Sequence, residues 1–314
     1  MAMPLKKSAQ ICGVSVEEIK LAATYIGRAK GFISLWAMGL NQSVIGVDKN
    51  VSLLNLSLVT GQIGKPGSGL HPLRGQNNVQ GSADMGVQPH QGAGYMDVSK
   101  PDVQQYYAQK YGIEKMPEST GLKIPQMLDA AINGKIKALY IMGEDTIMTD
   151  PNSYHSIKAF EKLELIVVQE LFMTATSEMA DVVLPATAWP EKTGTVTNTD
   201  RMVQMGRQAV EAPGQAKADL WIIQQIAKGM GLNWQYAGEH HGVAEVYEEM
   251  RQAMHEVISG ISWERLVRES SVTYPCLTEE DPGETTVFKD QFDTDDGRVH
   301  LVPADIIPAN ERPD

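Results

Sequence analysis

The sequence has 314 residues, 42% of them hydrophobic and 21% charged, with a formal net charge of −12 at pH 7, which is ordinary for a soluble globular protein of about two domains. The acidic balance and the lack of any basic run argue against binding to nucleic acid. The longest apolar stretches, at residues 137–142 and 163–168, have only the length of a strand, and residues 1–10 lack the apolar core of a signal peptide, so we expect a cytoplasmic protein without a membrane span.

The N-terminal part alternates between helix and strand. Ser15 is a suitable N-cap for a helix over residues 15–30, which has acidic residues in its first turn and an apolar stripe at helical spacing. Residues 32–36 are predicted to form a buried strand, followed by a polar turn that reaches Gln42, and a second helix is predicted over residues 48–60. This order indicates a layered α/β domain.

Residues 71–86, HPLRGQNNVQGSADMG, combine one cation, Arg74, with many glutamines, asparagines and glycines. The composition predicts a loop throughout, because it offers too little apolar surface for a packed helix or strand. Its amides supply many donors and acceptors, which suits a large polar ligand with a small anion beside it. An ordinary solvated surface loop is the alternative that composition alone leaves open.

A second α/β series follows a tyrosine-rich helical connection at residues 97–120. Strands that are separated by helices pair in parallel through right-handed crossovers, so the series predicts a parallel sheet. Helices are assigned to residues 124–133, 153–163 and 175–179, and strands to residues 137–142, 165–169 and 181–185.

Polar stretches follow the carboxyl ends of three predicted strands, at residues 39–43, 143–150 and 169–176. Ligands of open α/β sheets bind at this edge, where a carboxylate such as Asp145 can accept hydrogen bonds from a guanine or a ribose. Helix capping by Glu144 or Asp150 is the alternative interpretation. No glycine-rich dinucleotide fingerprint, P-loop or nucleophile elbow occurs in the sequence.

The pattern changes after residue 189. Residues 193–200 are polar and rich in turn formers, helices are predicted over residues 218–229 and 242–259, and a strand is suggested at residues 297–302. We therefore divide the chain into three parts, which are the end of one α/β domain, a second Rossmann-like α/β domain, and a mixed helical and turn-rich segment. They cover residues 1–76, 77–188 and 189–314.

Metal ligation by this chain is not expected. Cys12 and Cys276 are the only cysteines, and two thiolates cannot supply an iron–sulfur cluster or a structural zinc site. The seven histidines include no His-x-x-x-His pair. We assign no metal ligand.

Four motifs form a combined pattern: residues 74–81 (RGQNNVQG), 84–86 (DMG), 142–145 (MGED) and 180–185 (ADVVLP). The pattern resembles the catalytic subunit of molybdopterin-dependent formate dehydrogenases, and the similarity runs from residue 14 to beyond residue 288. The resemblance implies Rossmann-like parallel sheets with flanking helices, incomplete relative to the whole family subunit. It also implies that the N-terminal iron–sulfur segment, the cysteine or selenocysteine metal ligand and the C-terminal β-barrel domain lie outside these residues.

The resemblance also implies roles for individual residues. Arg74 matches the arginine that orients formate beside the metal, a task for which a planar guanidinium that holds a carboxylate bidentately is suited. Gln42 and Gln76 match contacts to the pterin of a bis-guanine-dinucleotide cofactor with molybdenum or tungsten. The implied reaction is the two-electron interconversion of formate and CO2, with electrons passed to an iron–sulfur cluster. Positions around one guanine dinucleotide arm are matched by Gly143, Glu144, Asp145, Thr149, Glu170, Thr187 and Asp219.

Two alternatives stay open beside the formate dehydrogenase hypothesis. Residues 36–42 and 61–67 look like the nitrate reductase branch, but the loop with Arg74 favours formate. The second alternative is a non-catalytic cofactor-binding scaffold, or one half of a split enzyme. We expect the isolated chain to be inactive and to need the missing iron–sulfur segment or an electron-transfer subunit as its partner.

Overall fold

The computed structural model describes residues 3–234 and 236–304, which fall into two units with separate sheets. The first unit takes in the described residues of 1–76 and 284–314, and the second takes in those of 77–283. The three-part division expected from the sequence stays a prediction. Within the first unit the elements are α1 (Leu5–Cys12), α2 (Val16–Arg28), β1 (Ile33–Trp36), α3 (Met38–Asn41), α4 (Gly46–Val59) and β2 (Gly69–Pro72).

The first unit is built around two parallel strands joined by a helix. Ile33 of β1 pairs with Gly69 of β2, and Trp36 pairs with Pro72, with α4 in the connection. The predicted N-cap of α2 is present and is part of a capping box, since the Ser15 hydroxyl accepts from the Glu18 N–H at 3.1 Å and the Glu18 carboxylate accepts from the Ser15 N–H at 2.7 Å. The predicted helix–strand–helix order is therefore confirmed in this unit.

The second unit contains a parallel sheet with flanking helices. Its strand order is β3-β4-β5, and both pairings are parallel, as predicted. A core of Leu128, Ala131, Phe160, Ile166 and Val168 lies between the helices and this sheet. Up to the third strand, the elements are α5 (Val79–Asp84), α6 (Pro101–Tyr111), α7 (Ile124–Ile132), β3 (Ala138–Met142), α8 (Thr146–Thr149), α9 (Ser153–Phe160), β4 (Leu165–Glu170), α10 (Ala175–Glu178) and β5 (Val182–Pro185).

An antiparallel sheet follows, where the sequence predicted only a turn-rich region at residues 193–200. Its strand order is β6-β7-β8, with Gly194 opposite Gly206 and Val203 opposite Val272. A second core packs on it, and its largest fully buried side chains include Tyr107, Ile258 and Leu266. The remaining elements are β6 (Gly194–Thr197), β7 (Met202–Gly206), α11 (Asp219–Gly229), α12 (Glu239–Ala253), α13 (His255–Ile258), α14 (Trp263–Glu269) and β8 (Ser271–Thr273).

The prediction of a loop throughout residues 71–86 was wrong. The segment begins inside β2 and also contains α5, in which Gln80 and Asp84 are buried at 9% and 3% exposure. The Asp84 carboxylate accepts from the Gln80 amide at 2.9 Å, from the Tyr95 hydroxyl at 2.7 Å and from the Tyr274 hydroxyl at 3.1 Å. Distant tyrosines thus make burial of a polar helix possible, because each buried polar group has a partner.

The suggested strand at residues 297–302 was also wrong. No strand is assigned there, and the described part of the chain provides no partner strand for it. A strand leaves its backbone groups unpaired unless a neighbour supplies the ladder, so an apolar pattern alone does not form one. The last residues of the chain, 305–314, lie outside the described residues.

The buried tyrosines of the second unit predict a loss of stability at alkaline pH. Burial is the main factor that raises the pKa of Tyr107, Tyr247 and Tyr274, and burial together with the Glu249 carboxylate raises the pKa of Tyr236 to about 12. Above a pH of 10.0, the ordinary tyrosine pKa, the unfolded chain loses these protons while the folded chain keeps them, so the unfolded state gains stability. We expect the free energy of unfolding to fall steadily as the pH rises from 10 to 12.

The measurement is urea unfolding at a series of alkaline pH values, with tyrosine ionisation followed by ultraviolet absorbance. Tyr236→Phe removes one of the groups and is expected to make the alkaline loss shallower. Tyr154→Phe is the matched control, since the Tyr154 side chain is 87% exposed. An alkaline loss of the same steepness in the Tyr236→Phe variant and the parent would contradict the assignment.

Candidate functional site

Most of the residues that the sequence singled out lie at the carboxyl edge of the parallel sheet in the second unit. Met142 pairs with Gln169, and Glu170 pairs with Pro185, so the three strands end together. The segments that follow these strand ends carry Gly143, Glu144, Asp145 and Thr149 after β3, Glu170 at the end of β4, and Thr187 after β5.

The turn after β3 depends on Gly143. Its φ of +63° lies in the left-handed region, which glycine adopts at little cost. The Gly143 N–H donates to the Gln169 carbonyl at 2.9 Å, so the turn is fixed to the neighbouring strand. Glu144 and Asp145 are thereby placed, half-buried, at the edge of the sheet.

Asp145 links the segments that follow β3 and β4. Its Oδ1 accepts from the Thr176 N–H at 3.0 Å and from the Thr176 hydroxyl at 2.6 Å. The same hydroxyl accepts from the Ile147 N–H at 3.1 Å. Asp145 makes no side-chain cap to its own helix α8, so its contacts serve the neighbouring segment.

Glu144 and Thr149 are in contact. The Thr149 hydroxyl donates to Glu144 Oε1, and it also lies 3.1 Å from the Asp145 carbonyl oxygen. Glu170 is half-buried, and one of its oxygens accepts from the Leu171 N–H at 2.6 Å. These carboxylates lie at the sheet edge, where oxygens can accept hydrogen bonds from a ligand.

Asp219, at the first turn of α11, joins the same edge through side chains that sequence reasoning did not select. The Gln169 amide donates to Asp219 Oδ1 at 2.6 Å, and Lys192 forms an ion pair with Asp219 Oδ2. The Tyr140 hydroxyl donates in turn to Gln169 Oε1. Burial, with a smaller effect of the Asp219 charge, raises the pKa of Tyr140, so the phenol stays a protonated donor at neutral pH.

Thr187 lies beside this network and has an unsatisfied hydroxyl. Its carbonyl accepts from the Lys192 ammonium at 3.1 Å, while its Oγ1 has no hydrogen-bond partner in the described part of the chain. The residue is only 3% exposed. A buried hydroxyl without a partner costs about 1–3 kcal/mol, so this position favours a ligand or water that would satisfy it.

Three predicted site residues belong to the first unit. The Leu73 N–H donates to the Trp36 carbonyl at 2.7 Å, so the segments after β1 and β2 leave the strands at the same edge. Gln42 ends α3 in the first of these segments, and Arg74 and Gln76 lie in the second. All three side chains are exposed.

The hydrogen-bonding groups at the edge of the parallel sheet in the second unit suit a nucleotide. Carboxylate oxygens accept from the N–H groups of a base and from ribose hydroxyls, and the Thr187 hydroxyl can bond to a further polar group. No cluster of three or more histidine, cysteine, aspartate or glutamate side chains that could hold a metal occurs within residues 3–234 and 236–304. Over the same residues, none of the helices has both the length and the apolarity that a membrane crossing requires.

Comparison with known proteins supports the resemblance. The molybdopterin oxidoreductase family model matches residues 8–229. The F420-dependent formate dehydrogenase subunit alpha of Methanocaldococcus jannaschii is 41% identical over 308 residues, which are 98% of this chain and 44% of that protein. Formate dehydrogenase H of Escherichia coli is 39% identical over 297 residues, which are 94% of this chain and 41% of that protein.

A solved structure supports the fold. The acetylene hydratase from Pelobacter acetylenicus superimposes with a TM-score of 0.60 at 19% identity, over 90% of this chain and 41% of that one. At this identity the similarity concerns the fold alone, and it agrees with the predicted parallel sheets and flanking helices. The chain spans less than half the length of each of these relatives.

Proposed function

The chain belongs to the molybdopterin oxidoreductase family, and we propose that it supplies part of the active site of a formate dehydrogenase. The observation that carries the proposal is the 41% identity to a formate dehydrogenase alpha subunit along 98% of the chain. The named relatives favour formate over nitrate, the alternative that residues 36–42 and 61–67 suggested. The loop with Arg74 also favours formate over nitrate.

Arg74 would bind the substrate. Formate is a small carboxylate, and a guanidinium offers it two parallel N–H donors while it stays charged at any working pH. The exposed position of Arg74 leaves its side chain accessible. When bound, the molybdenum or tungsten cofactor would supply the two-electron oxidation of formate to CO2.

Cofactor contacts are proposed for each unit by itself. Gln42 and Gln76 would contact the pterin through their amides. The unsatisfied hydroxyl of Thr187 and the acceptor oxygens at the sheet edge fit a guanine dinucleotide arm, because each provides a hydrogen-bonding group that the base, sugar or diphosphate can complement. The residues proposed for that arm are Gly143, Glu144, Asp145, Thr149, Glu170, Thr187 and Asp219.

Electron transfer would need groups that these residues do not supply. We propose an iron–sulfur segment or an electron-transfer subunit as the partner, since formate oxidation releases two electrons that must leave the active site. We also propose that the three parts expected from the sequence, residues 1–76, 77–188 and 189–314, are domains of this enzyme.

The test is to purify the enzyme that contains this chain and to measure three quantities. These are molybdenum and tungsten by elemental analysis, guanine nucleotide released by acid, and reduction of a dye with formate or of nitrate with a reduced dye. Formate-dependent reduction with metal and guanine nucleotide present is the expected result. Nitrate reduction without formate oxidation would refute the substrate, and a metal-loaded enzyme without guanine nucleotide would refute the cofactor assignment.

A further inference from the structure

Asp219 is one of the proposed cofactor contacts, but Lys192, its partner in an ion pair, has no role in the contacts proposed so far. Lys192 follows the short 3-10 helix Trp189–Glu191, and Asp219 lies in the first turn of α11. Their side chains are 26% and 30% exposed, so the pair is largely shielded from solvent and yet reachable. An ion pair of this kind has more influence on geometry than one on the open surface.

The Lys192 ammonium is fixed by three contacts. It pairs with Asp219 Oδ2, donates to the Thr187 carbonyl at 3.1 Å, and lies 5.4 Å from the centre of the Trp189 ring. The contact to Thr187 ties the segment after β5 to the start of α11. Lys192 therefore sets where the Asp219 carboxylate lies relative to the sheet edge.

Among the described residues, each of the two oxygens of Asp219 accepts one hydrogen bond. Oδ1 accepts from the Gln169 amide at 2.6 Å, and Oδ2 accepts from Lys192. A carboxylate offers about four acceptor sites, two on each oxygen, so the contacts from the described part of the chain leave one acceptor site on each oxygen. Two acceptors side by side complement an edge with two parallel N–H donors, such as the N1–H and N2–H of guanine.

We propose that Lys192 is a positioning residue, which holds the Asp219 carboxylate in the orientation that accepts a guanine edge. This inference rests on the proposed function, in which Asp219 contacts the guanine dinucleotide. Gln169 restrains one oxygen, and Lys192 restrains the other. Without the ammonium, the carboxylate would lose its counter-charge and one of its two restraints, and the bidentate arrangement would no longer be preorganised.

The test is a double-mutant cycle on cofactor retention in the purified holoenzyme. The variants are Lys192→Met, Asp219→Asn and the two combined, with Lys192→Arg as the conservative replacement. The readout is the rate at which guanine nucleotide, quantified as GMP after acid release, is lost from the protein at a fixed temperature. Lys217→Met is the matched control, because Lys217 lies 5.9 Å from the Trp221 ring, close to Asp219 in sequence.

Lys192→Met is expected to speed the loss of nucleotide about tenfold or more, while Lys192→Arg stays within about threefold of the parent, since loss of a charge-assisted contact has this order of effect. In the Asp219→Asn background, Lys192→Met is expected to add nothing, because residues that act as a unit are not additive. Lys217→Met should match the parent.

Three results would overturn the inference. One is a parent-like rate in Lys192→Met, and another is an equal deficit in Lys192→Arg and Lys192→Met. The third is a Lys192→Met effect of the same size with and without Asp219, which would mean that Lys192 acts by itself. A parent enzyme that contains no guanine nucleotide would refute the proposed function as well, whereas a parent with full nucleotide content and any of these three results refutes only the role of Lys192.

Discussion

Lysine in place of Arg74 is expected to lower kcat/KM for formate by about 10- to 100-fold in the enzyme that contains this chain. A guanidinium holds both carboxylate oxygens of formate, whereas an ammonium is a point charge that fixes the substrate less well. A lost hydrogen bond to a charged group costs roughly 1.5–3 kcal/mol, which corresponds to that range of rates. Methionine in place of Arg74 removes the charge as well, and a loss of about 1,000-fold or more is expected.

The measurement is steady-state formate oxidation with an artificial electron acceptor, together with metal and guanine nucleotide content for each variant. Arg28→Lys is the matched control, since Arg28 is an exposed arginine in the last turn of α2. Cofactor content should stay at the parent level in all three variants. Loss of metal from the Arg74→Lys protein would instead identify Arg74 as a residue that supports the cofactor site.

The sequence predicted those parts of the fold whose signals are local. The strands β3, β4 and β5 are short apolar runs separated by helices, and each was placed within one residue of its observed ends. Helix α2 was recognised from its N-cap and its apolar stripe, and Ser15 caps the helix as expected. In both cases the residues that decide the structure are neighbours along the chain.

The antiparallel sheet was missed because its signal is not local. Strand β6 is Gly194–Thr197, a polar and turn-like sequence, and β8 contributes only Ser271–Thr273. Val203 of β7 pairs with Val272 of β8 across a long intervening segment of chain. Their pairing depends on the helices that bring β8 back to β7. Local sequence patterns do not predict such a long-range pairing.

The sequence predicted where the candidate site residues lie in the sheet, but not the hydrogen bonds and the ion pair that connect them. Polar stretches after parallel strands correctly indicated the edge at which Glu144, Asp145 and Thr149 lie. Lys192 carried no such signal, because it belongs to a loop outside the predicted strand ends. Gln169 is 50 residues from Asp219 in sequence, so only the folded chain shows that its amide is the carboxylate's partner.

Alanine in place of Asp84 is expected to lower the free energy of unfolding by about 3–5 kcal/mol, the cost of removing one partner from a buried charged network. The carboxylate is 3% exposed and accepts from Gln80, Tyr95 and Tyr274. Its removal takes the shared acceptor away from the buried Gln80 and Tyr274 and from the exposed Tyr95, and it leaves a gap that an alanine methyl does not fill. Urea unfolding followed by tryptophan fluorescence and circular dichroism measures the change.

Tyr274→Phe keeps this prediction testable if the Asp84→Ala protein does not fold. It removes one donor and leaves the other two on the carboxylate, so a smaller loss of about 1–2 kcal/mol is expected. Asp102→Ala, at an exposed acid in the first turn of α6, is the control and should change the stability by about 0.5 kcal/mol or less. If Asp84→Ala lowered the free energy of unfolding as little as Asp102→Ala does, the hydrogen-bond network would not be what keeps α5 buried. The burial of this polar helix would then come from its packing against β6.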